Sequence, residues 1–216
     1  MIHPGAHMME PIRELGPEAQ QAAQNKEQPE MNVSGAFYFL VDYAFMFYLS
    51  IVLARFILQL VRADFYNPIS QFIVKATSPL LNPLRRLIPG VGGIDVASLV
   101  LFIALVIAKL ALYIYVFHTI PQLSPLGMIV LLLMSIANTV INFFLFVIFA
   151  AAILSWVVAA SGSYNPVVDI LNQIAEPVLA PARKIIPAMG GLDISPMLVM
   201  IALIFIKQLF GLSGMP

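Results

Sequence analysis

The chain reads LLNPLRRLIPGVGGIDVASLVLF from Leu80 to Phe102 and, later, VLAPARKIIPAMGGLDISPMLVM from Val178 to Met200. Each copy carries proline, a basic pair, Ile-Pro, Gly-Gly and a single Asp, in that order, directly ahead of a long apolar run. That order describes a route for the backbone: a polar-faced segment, a sharp turn, and a helix that begins at an Asp cap and enters an apolar medium. Working outward, Tyr66–Leu112 aligns with Tyr164–Phe210 without a gap, setting Asn67 on Asn165, Pro68 on Pro166 and Lys109 on Lys207. Further upstream, after a two-residue change of offset, Asp42 falls on Asn138 and Phe47 on Phe143. The chain is an internal duplication.

Composition says what medium the duplicated unit lives in. Of 216 residues, 61% are hydrophobic and only 10% are charged, well outside the range of a soluble domain. Apolar runs cover 33–61, 96–117, 126–160 and 194–212, and a hydrocarbon core takes roughly 20 helical residues to cross. The reading is an all-α polytopic membrane protein with four transmembrane helices. The third run would make a helix of about 52 Å, too long for one upright span and too short for two with a turn, so a single long or tilted helix is expected. The first repeat then occupies 33–118, a short outer loop 119–125, and the second repeat 126–213. An even number of spans per repeat makes the two halves parallel, so both connectors share one membrane face.

Charge orients the arrangement. The connectors hold Arg62, Lys75, Arg85, Arg86, Arg183 and Lys184, whereas the loop HTIPQLSP between the halves has neither Lys nor Arg. The positive-inside rule places the connectors in the cytoplasm and both termini outside. Residues 1–32 hold Glu10, Glu14, Glu18, Glu27 and Glu30 against Arg13 and Lys26, with four prolines and few large apolar side chains, which reads as a disordered acidic tail.

On a helical wheel the first connector sets Ile69, Phe72, Ile73, Ala76, Leu80, Leu84 and Leu87 against Gln71, Lys75, Ser78, Asn82, Arg85 and Arg86. The second repeats the pattern, with Val167, Ile170, Leu171, Ile174, Val178 and Ile185 opposite Asp169, Asn172, Gln173, Glu176, Arg183 and Lys184. Such a segment is expected to lie in the interface. Pro79 and Pro83, and Pro177 and Pro181, remove backbone donors, so each connector is expected to be broken into two short helices. The basic pairs Arg85, Arg86, Arg183 and Lys184 are expected to face anionic lipid headgroups or a protein partner. Gly92 and Gly93, like Gly190 and Gly191, allow the positive φ of the bend, and Asp95 and Asp193 cap the spans that follow. Two roles fit this device: a passive way of bending a hairpin around an interfacial helix, or a docking plate for lipid or a soluble partner.

Polar residues within apolar runs are the remaining candidates. A helix from Asp95 to Lys109 is about 21 Å long, which places Lys109, and Lys207 by the repeat, beyond the midplane. A charge there is costly unless paired, hydrated or able to snorkel. Either both lysines snorkel outward, or one pairs with Asp42, with Asn138 and Asn142 extending a polar cluster on one helix face. Arg55 and Gln59 share a face near the opposite end of the first span, where Arg55 can reach Asp95 or headgroups. Trp156 reads as an interfacial anchor.

No constellation for chemistry emerges: the chain has no cysteine, no nucleotide-binding glycine loop, no His-Glu-x-x-His and no nucleophile elbow. His3 and His7 lie on the tail and His118 stands alone in the outer loop, so no catalytic residue, metal site or cofactor is expected, nor a nucleic-acid partner.

The strings from Tyr66 to Val100 and from Ile153 to Met200 resemble the two repeats of the YggT (YlmG) family of bacterial and plastid membrane proteins, through Asn-Pro, Glu-Pro, Pro-x-Arg-[Arg/Lys], Ile-Pro and Gly-Gly-x-Asp. The resemblance covers roughly residues 40–212. The first half departs from it with Ser78-Pro79 where the second has Glu176-Pro177, and with FILQL where the second keeps Leu154, Ser155 and Trp156. The resemblance implies a non-enzymatic protein of the bacterial inner membrane, linked with osmotic tolerance and potassium balance, with cell division and nucleoid distribution, or with biogenesis of membrane complexes such as cytochrome b. Two expectations follow: an assembly scaffold that acts through its interfacial helices on lipid or a membrane or cytoplasmic partner, or an ion-permeation module, which four spans form only as a homo-oligomer.

Overall fold

The computed structural model describes residues 33–90, 93–118, 120, 123–162, 165–185 and 193–212. The expected disordered tail, Gly92, Gly190 and Gly191 lie outside the described residues. Among the described residues the secondary-structure elements are helical: α1 Val33–Leu60, α2 Pro68–Leu87, α3 Val96–Ala111 continued by a π-helical turn Leu112–Val116, α4 Pro125–Ser161, α5 Pro166–Ile185 and α6 Ser195–Leu209. Two units divide the chain, residues 1–40 and 41–216. In the first, Phe37, Phe39 and Leu40 on the opening turns of α1 are exposed; the second holds everything described below.

Three segments are long and apolar enough to cross a membrane: Gly35–Leu60, Val96–Val116 and Pro125–Val158. The run expected as a fourth span folds as α6, an apolar helix of 15 residues, about 22 Å at 1.5 Å per residue. Large apolar side chains point outward along these helices, among them Leu133, Phe146 and Phe149 on α4 and Ile201 and Phe205 on α6. Water would penalise such a surface and lipid solvates it; this is a membrane protein. The third run is a single helix of 37 residues. Ser124 caps it by accepting from the Gly127 amide at 3.2 Å, and Gly162, at φ +63°, ends it.

Both connectors start alike. Asn67 Oδ1 accepts from the Ile69 amide at 2.9 Å and Asn165 Oδ1 from the Val167 amide at 2.9 Å, with Pro68 and Pro166 in the first helical position, where a missing N–H costs nothing. The Asn67 side chain also donates to the Pro166 carbonyl at 2.7 Å, tying the two halves together.

The expected break at the prolines does not occur: α2 runs unbroken through Pro79 and Pro83, and α5 through Pro177 and Pro181. All four rings sit on the exposed side of their helices. The carbonyls they free therefore face outward, where solvent or headgroups satisfy them, while the inward face keeps its hydrogen-bond ladder and its packing.

The buried stripe of α2 also differs from the wheel. Ser70, Ile73, Thr77 and Leu81 face the protein, whereas Phe72, Leu80 and Leu87 of the apolar stripe are exposed. Gln71, Lys75, Asn82 and Arg86 make up a third, polar exposed face. In α5 the buried set is Val168, Ile170, Ile174, Ala175 and Leu179. The core that these faces join is built from Leu49, Val52 and Leu58 of α1, Phe102 and Val106 of α3, and Val147 and Ile148 of α4.

Gly93 takes φ +84°, as the bend requires. A Cβ built there meets nothing within 4 Å, so the cost of substitution is conformational alone. Gly93→Ala is expected to lower stability by about 1–2 kcal/mol, read as a shift of the denaturation midpoint in detergent micelles, whereas a loss under about 0.3 kcal/mol would mean that the bend is not held in this conformation.

Candidate functional site

Polar side chains gather at two places, one at each end of the helix bundle. The first is where α2 hands over to α3. Asp95 accepts from the Ser98 amide at 3.3 Å and from Ser98 Oγ at 2.5 Å, and so caps α3. Arg85, ten positions earlier on α2, forms an ion pair with the same carboxylate. Burial pushes the Asp95 carboxyl up, but the Arg85 and Ser98 hydrogen bonds outweigh it and hold the group below the usual carboxylate range. Gln59 Nε2 on α1 donates to the Gly93 carbonyl at 3.4 Å, fastening the bend to the end of the first span. Arg55 is buried one turn deeper, where its Nη1 donates to Thr77 Oγ1 at 3.2 Å.

The second half repeats this junction with different charges. Arg183 Nε donates to Asp193 Oδ2 at 2.9 Å, and the same guanidinium also pairs with Glu176. Asp193 accepts from the Ser195 amide at 2.9 Å, meeting the first turn of α6. Burial raises its carboxyl, and the Ser195 and Arg183 hydrogen bonds again bring it below the usual range.

Arg85 and Arg183, expected to face headgroups, each pair with the Asp that follows, with their side chains 36% and 38% exposed. Arg86 and Lys184 do point outward and are exposed. Arg55, expected to reach Asp95 or the headgroups, bonds Thr77 instead, since Arg85 occupies the carboxylate.

The second cluster lies at the far ends of the spans. Lys109 Nζ is 2.8 Å from Asp42 Oδ1, with Lys109 11% and Asp42 27% exposed at the side chain. The Tyr113 hydroxyl donates to the same oxygen, and Lys109 Nζ sits 5.5 Å from the Tyr113 ring centre. In the other half Lys207 Nζ donates to Asn142 Oδ1 at 2.6 Å, and Asn142 Nδ2 donates to Asn138 Oδ1 at 3.3 Å. The lysines thus pair rather than snorkel freely, one with a carboxylate and one with amides. Both halves keep the cation, and among the described residues the first pairs it with an opposite charge and the second with a neutral amide.

The duplication of these junctions agrees with comparison to known families. The profile of the CCB3/YggT family matches residues 34–116 and 130–213. The chain belongs to the CCB3/YggT family. An uncharacterized protein of Pseudomonas aeruginosa is 46% identical over 183 residues, covering 78% of this chain and 87% of its own length. A Vibrio alginolyticus protein is 40% identical over 173 residues, with 80% and 92% covered. The uncharacterized protein YggT of Escherichia coli K12 is 38% identical over 170 residues, with 79% and 86% covered. No solved structure matches the chain.

Within this YggT chain, sequence reasoning passed over Tyr113, Thr77 and Ser98. Tyr113 stands four positions after Lys109 and so on the same face, a signal that was available; the π-helical turn that carries it, closed by the Phe117 amide on the Leu112 carbonyl at 2.9 Å, was not. Ser98 three positions after Asp95 is an ordinary capping pattern. Thr77 is found only from the packing of α1 on α2. Among the described residues no group of three or more His, Asp or Glu side chains stands close enough to hold a metal.

Proposed function

We propose that this protein is a non-enzymatic scaffold of the bacterial inner membrane. Its four spans form two parallel repeats with α2 and α5 on the cytoplasmic leaflet, resting on anionic headgroups and receiving a protein partner during assembly of a membrane complex. Osmotic tolerance, cell division and complex biogenesis are the processes that family membership suggests for such a scaffold. The observation that supports this most is the three-way division of α2: one stripe packed on protein, one exposed and apolar through Phe72, Leu80 and Leu87, and one exposed and polar through Lys75, Asn82 and Arg86. A helix that meets protein, hydrocarbon and water along three stripes about a third of a turn apart has the surface of a segment lying in the interface. Asn67 and Gln173 hold it beside α5, through the Pro166 carbonyl and the Asp64 amide.

The test spares the internal ion pairs. Because the chain has no cysteine, a single Cys at Lys75, Arg86 or Lys184 can be labelled from each side of the membrane, and labelling from the cytoplasmic side alone is expected. Changing Lys75, Arg86 and Lys184 together to Gln is expected to leave folding intact and to remove in-cell crosslinks to the partner and the associated phenotype. Crosslinks and phenotype that persist in a folded triple variant would refute the scaffold reading.

A second reading, an oligomeric ion-permeation module, rests on the Asp42–Lys109–Tyr113 and Asn138–Asn142–Lys207 clusters. It expects ion flux in liposomes that changes in the charge-free pair Asp42→Asn with Lys109→Met. Wild-type protein that passes no ions across a range of osmotic gradients removes that reading.

A further inference from the structure

The two junctions carry opposite charge. In the first half Arg85 pairs with Asp95 and Arg55 lies one turn deeper against Thr77, two cations to one anion; in the second Arg183 pairs with both Glu176 and Asp193, one cation to two anions. Two exchanges between the repeats produce this difference: Arg55 stands where the second half has Ala151, and Ser78 where it has Glu176. Arg55 on α1 reaches Thr77 on α2, the helix that carries Arg85 two turns further on, and Gln59, one turn beyond Arg55, reaches the Gly93 carbonyl two positions before Asp95. It is 7% exposed, its Nη1 bonds Thr77, and its Nε is buried without a hydrogen-bond partner among the described residues. Thr77 Oγ already donates to the Ile73 carbonyl at 2.8 Å and offers Arg55 only a lone pair. A guanidinium has five N–H donors and no neutral form in a protein. A buried guanidinium with an unsatisfied donor, in a junction whose carboxylate is already engaged by Arg85, favours a further anion.

We propose that the α1–α2–α3 junction is a binding site for a phosphate group, with Arg55 and Arg85 as its cations and Thr77 and Asp95 fixing their orientation. Arg85 forms the mouth of the site: its side chain is 36% exposed, and one edge of its planar fork is left for a bidentate contact of the kind that phosphate accepts. Arg55, about a turn and a half from the end of α1, supplies the second charge from behind at the depth where a span meets the headgroups. The ligand is a phosphate monoester or diester, from a lipid headgroup or free in solution. The second half has no such site, because Glu176 fills the corresponding place on Arg183. The idea does not depend on the scaffold reading, which rests on the outward-facing Lys75, Arg86 and Lys184.

The repeat itself supplies the decisive variant. Ser78 precedes Arg85 by the same seven positions that separate Glu176 from Arg183, so Ser78→Glu should give Arg85 an internal acid and neutralise the junction without opening a cavity. Thermal unfolding of the full chain in neutral detergent is measured with phosphatidylglycerol, with phosphatidylcholine and with inorganic phosphate. Wild type is expected to gain about 5 °C or more at a hundredfold excess over Kd of its ligand. Ser78→Glu is expected to keep or exceed the ligand-free midpoint of wild type and to lose most of that gain, and Arg55→Gln to lose it as well. A gain with phosphatidylglycerol alone identifies a lipid headgroup, and a gain with inorganic phosphate identifies a free anion; either supports the site. Equal gains in wild type and a folded Ser78→Glu protein, or no gain with any anion, overturn it.

Discussion

Replacing Asp42 with Ala is expected to destabilise the protein by about 3 kcal/mol. The carboxylate is 2.8 Å from Lys109 Nζ and also accepts from Tyr113. Removing it strands an ammonium that is 11% exposed at the side chain within an otherwise apolar helix. Asp42→Asn keeps an acceptor for Tyr113 and loses only the charge, so its cost should be smaller. Joining Asp42→Asn to Lys109→Met removes both charges and should recover most of the loss, a coupling of about 2 kcal/mol in a double-mutant cycle. Asn142→Ala in the other half is expected to cost about 1 kcal/mol, because Lys207 is less buried and its partner is neutral. Titration with a denaturing detergent in mixed micelles measures all of these. An Asp42→Ala protein within about 0.5 kcal/mol of wild type would show that Lys109 is hydrated rather than paired.

Asp95→Ala should cost a comparable amount, about 3 kcal/mol, for a different reason. One carboxylate caps α3 through Ser98, worth about 1 kcal/mol, and is the partner of the Arg85 charge, which removal leaves uncompensated. Asp193→Ala should cost only about 1 kcal/mol, since Arg183 keeps Glu176 and the pair is more exposed. The pH dependence follows from the same geometry. The folded-state pKa of Asp95 is depressed below its unfolded value of about 3.9. Its stabilisation is therefore complete above that value and is lost as pH falls through the lower folded one. Wild-type stability is expected to decline below about pH 4 in detergent, and Asp95→Asn, already weaker, to decline less steeply over the same interval.

Much of the junction was readable because its parts are local. A capping Asp and the Ser three positions on, an Asn-Pro pair opening a helix, and a glycine at positive φ each depend on two to four adjacent residues. Asp95 and Gly93 accordingly stand as their spacing implied, and Asn67 and Asn165 cap the connectors, a role that alignment of the repeats alone did not assign. The pairing of a span lysine with Asp42 was legible on energetic grounds, since hydrocarbon leaves a buried ammonium few alternatives. The choice of Lys109 over Lys207 needed the helices in place.

The sequence by itself determined the duplication, the apolar runs, the amphipathic connectors and the chemistry of each cap, because periodicity and near-neighbour hydrogen bonds are properties of a short stretch of chain. Tertiary structure decided what depends on several helices at once: which third of α2 is buried, and that α2 runs straight past prolines lying on its outer face. It also turned Arg85 inward to Asp95 and left Arg55 against Thr77. A long cationic side chain can sweep through many directions, and the anion it meets is set by where the bend returns the backbone, which no local pattern records.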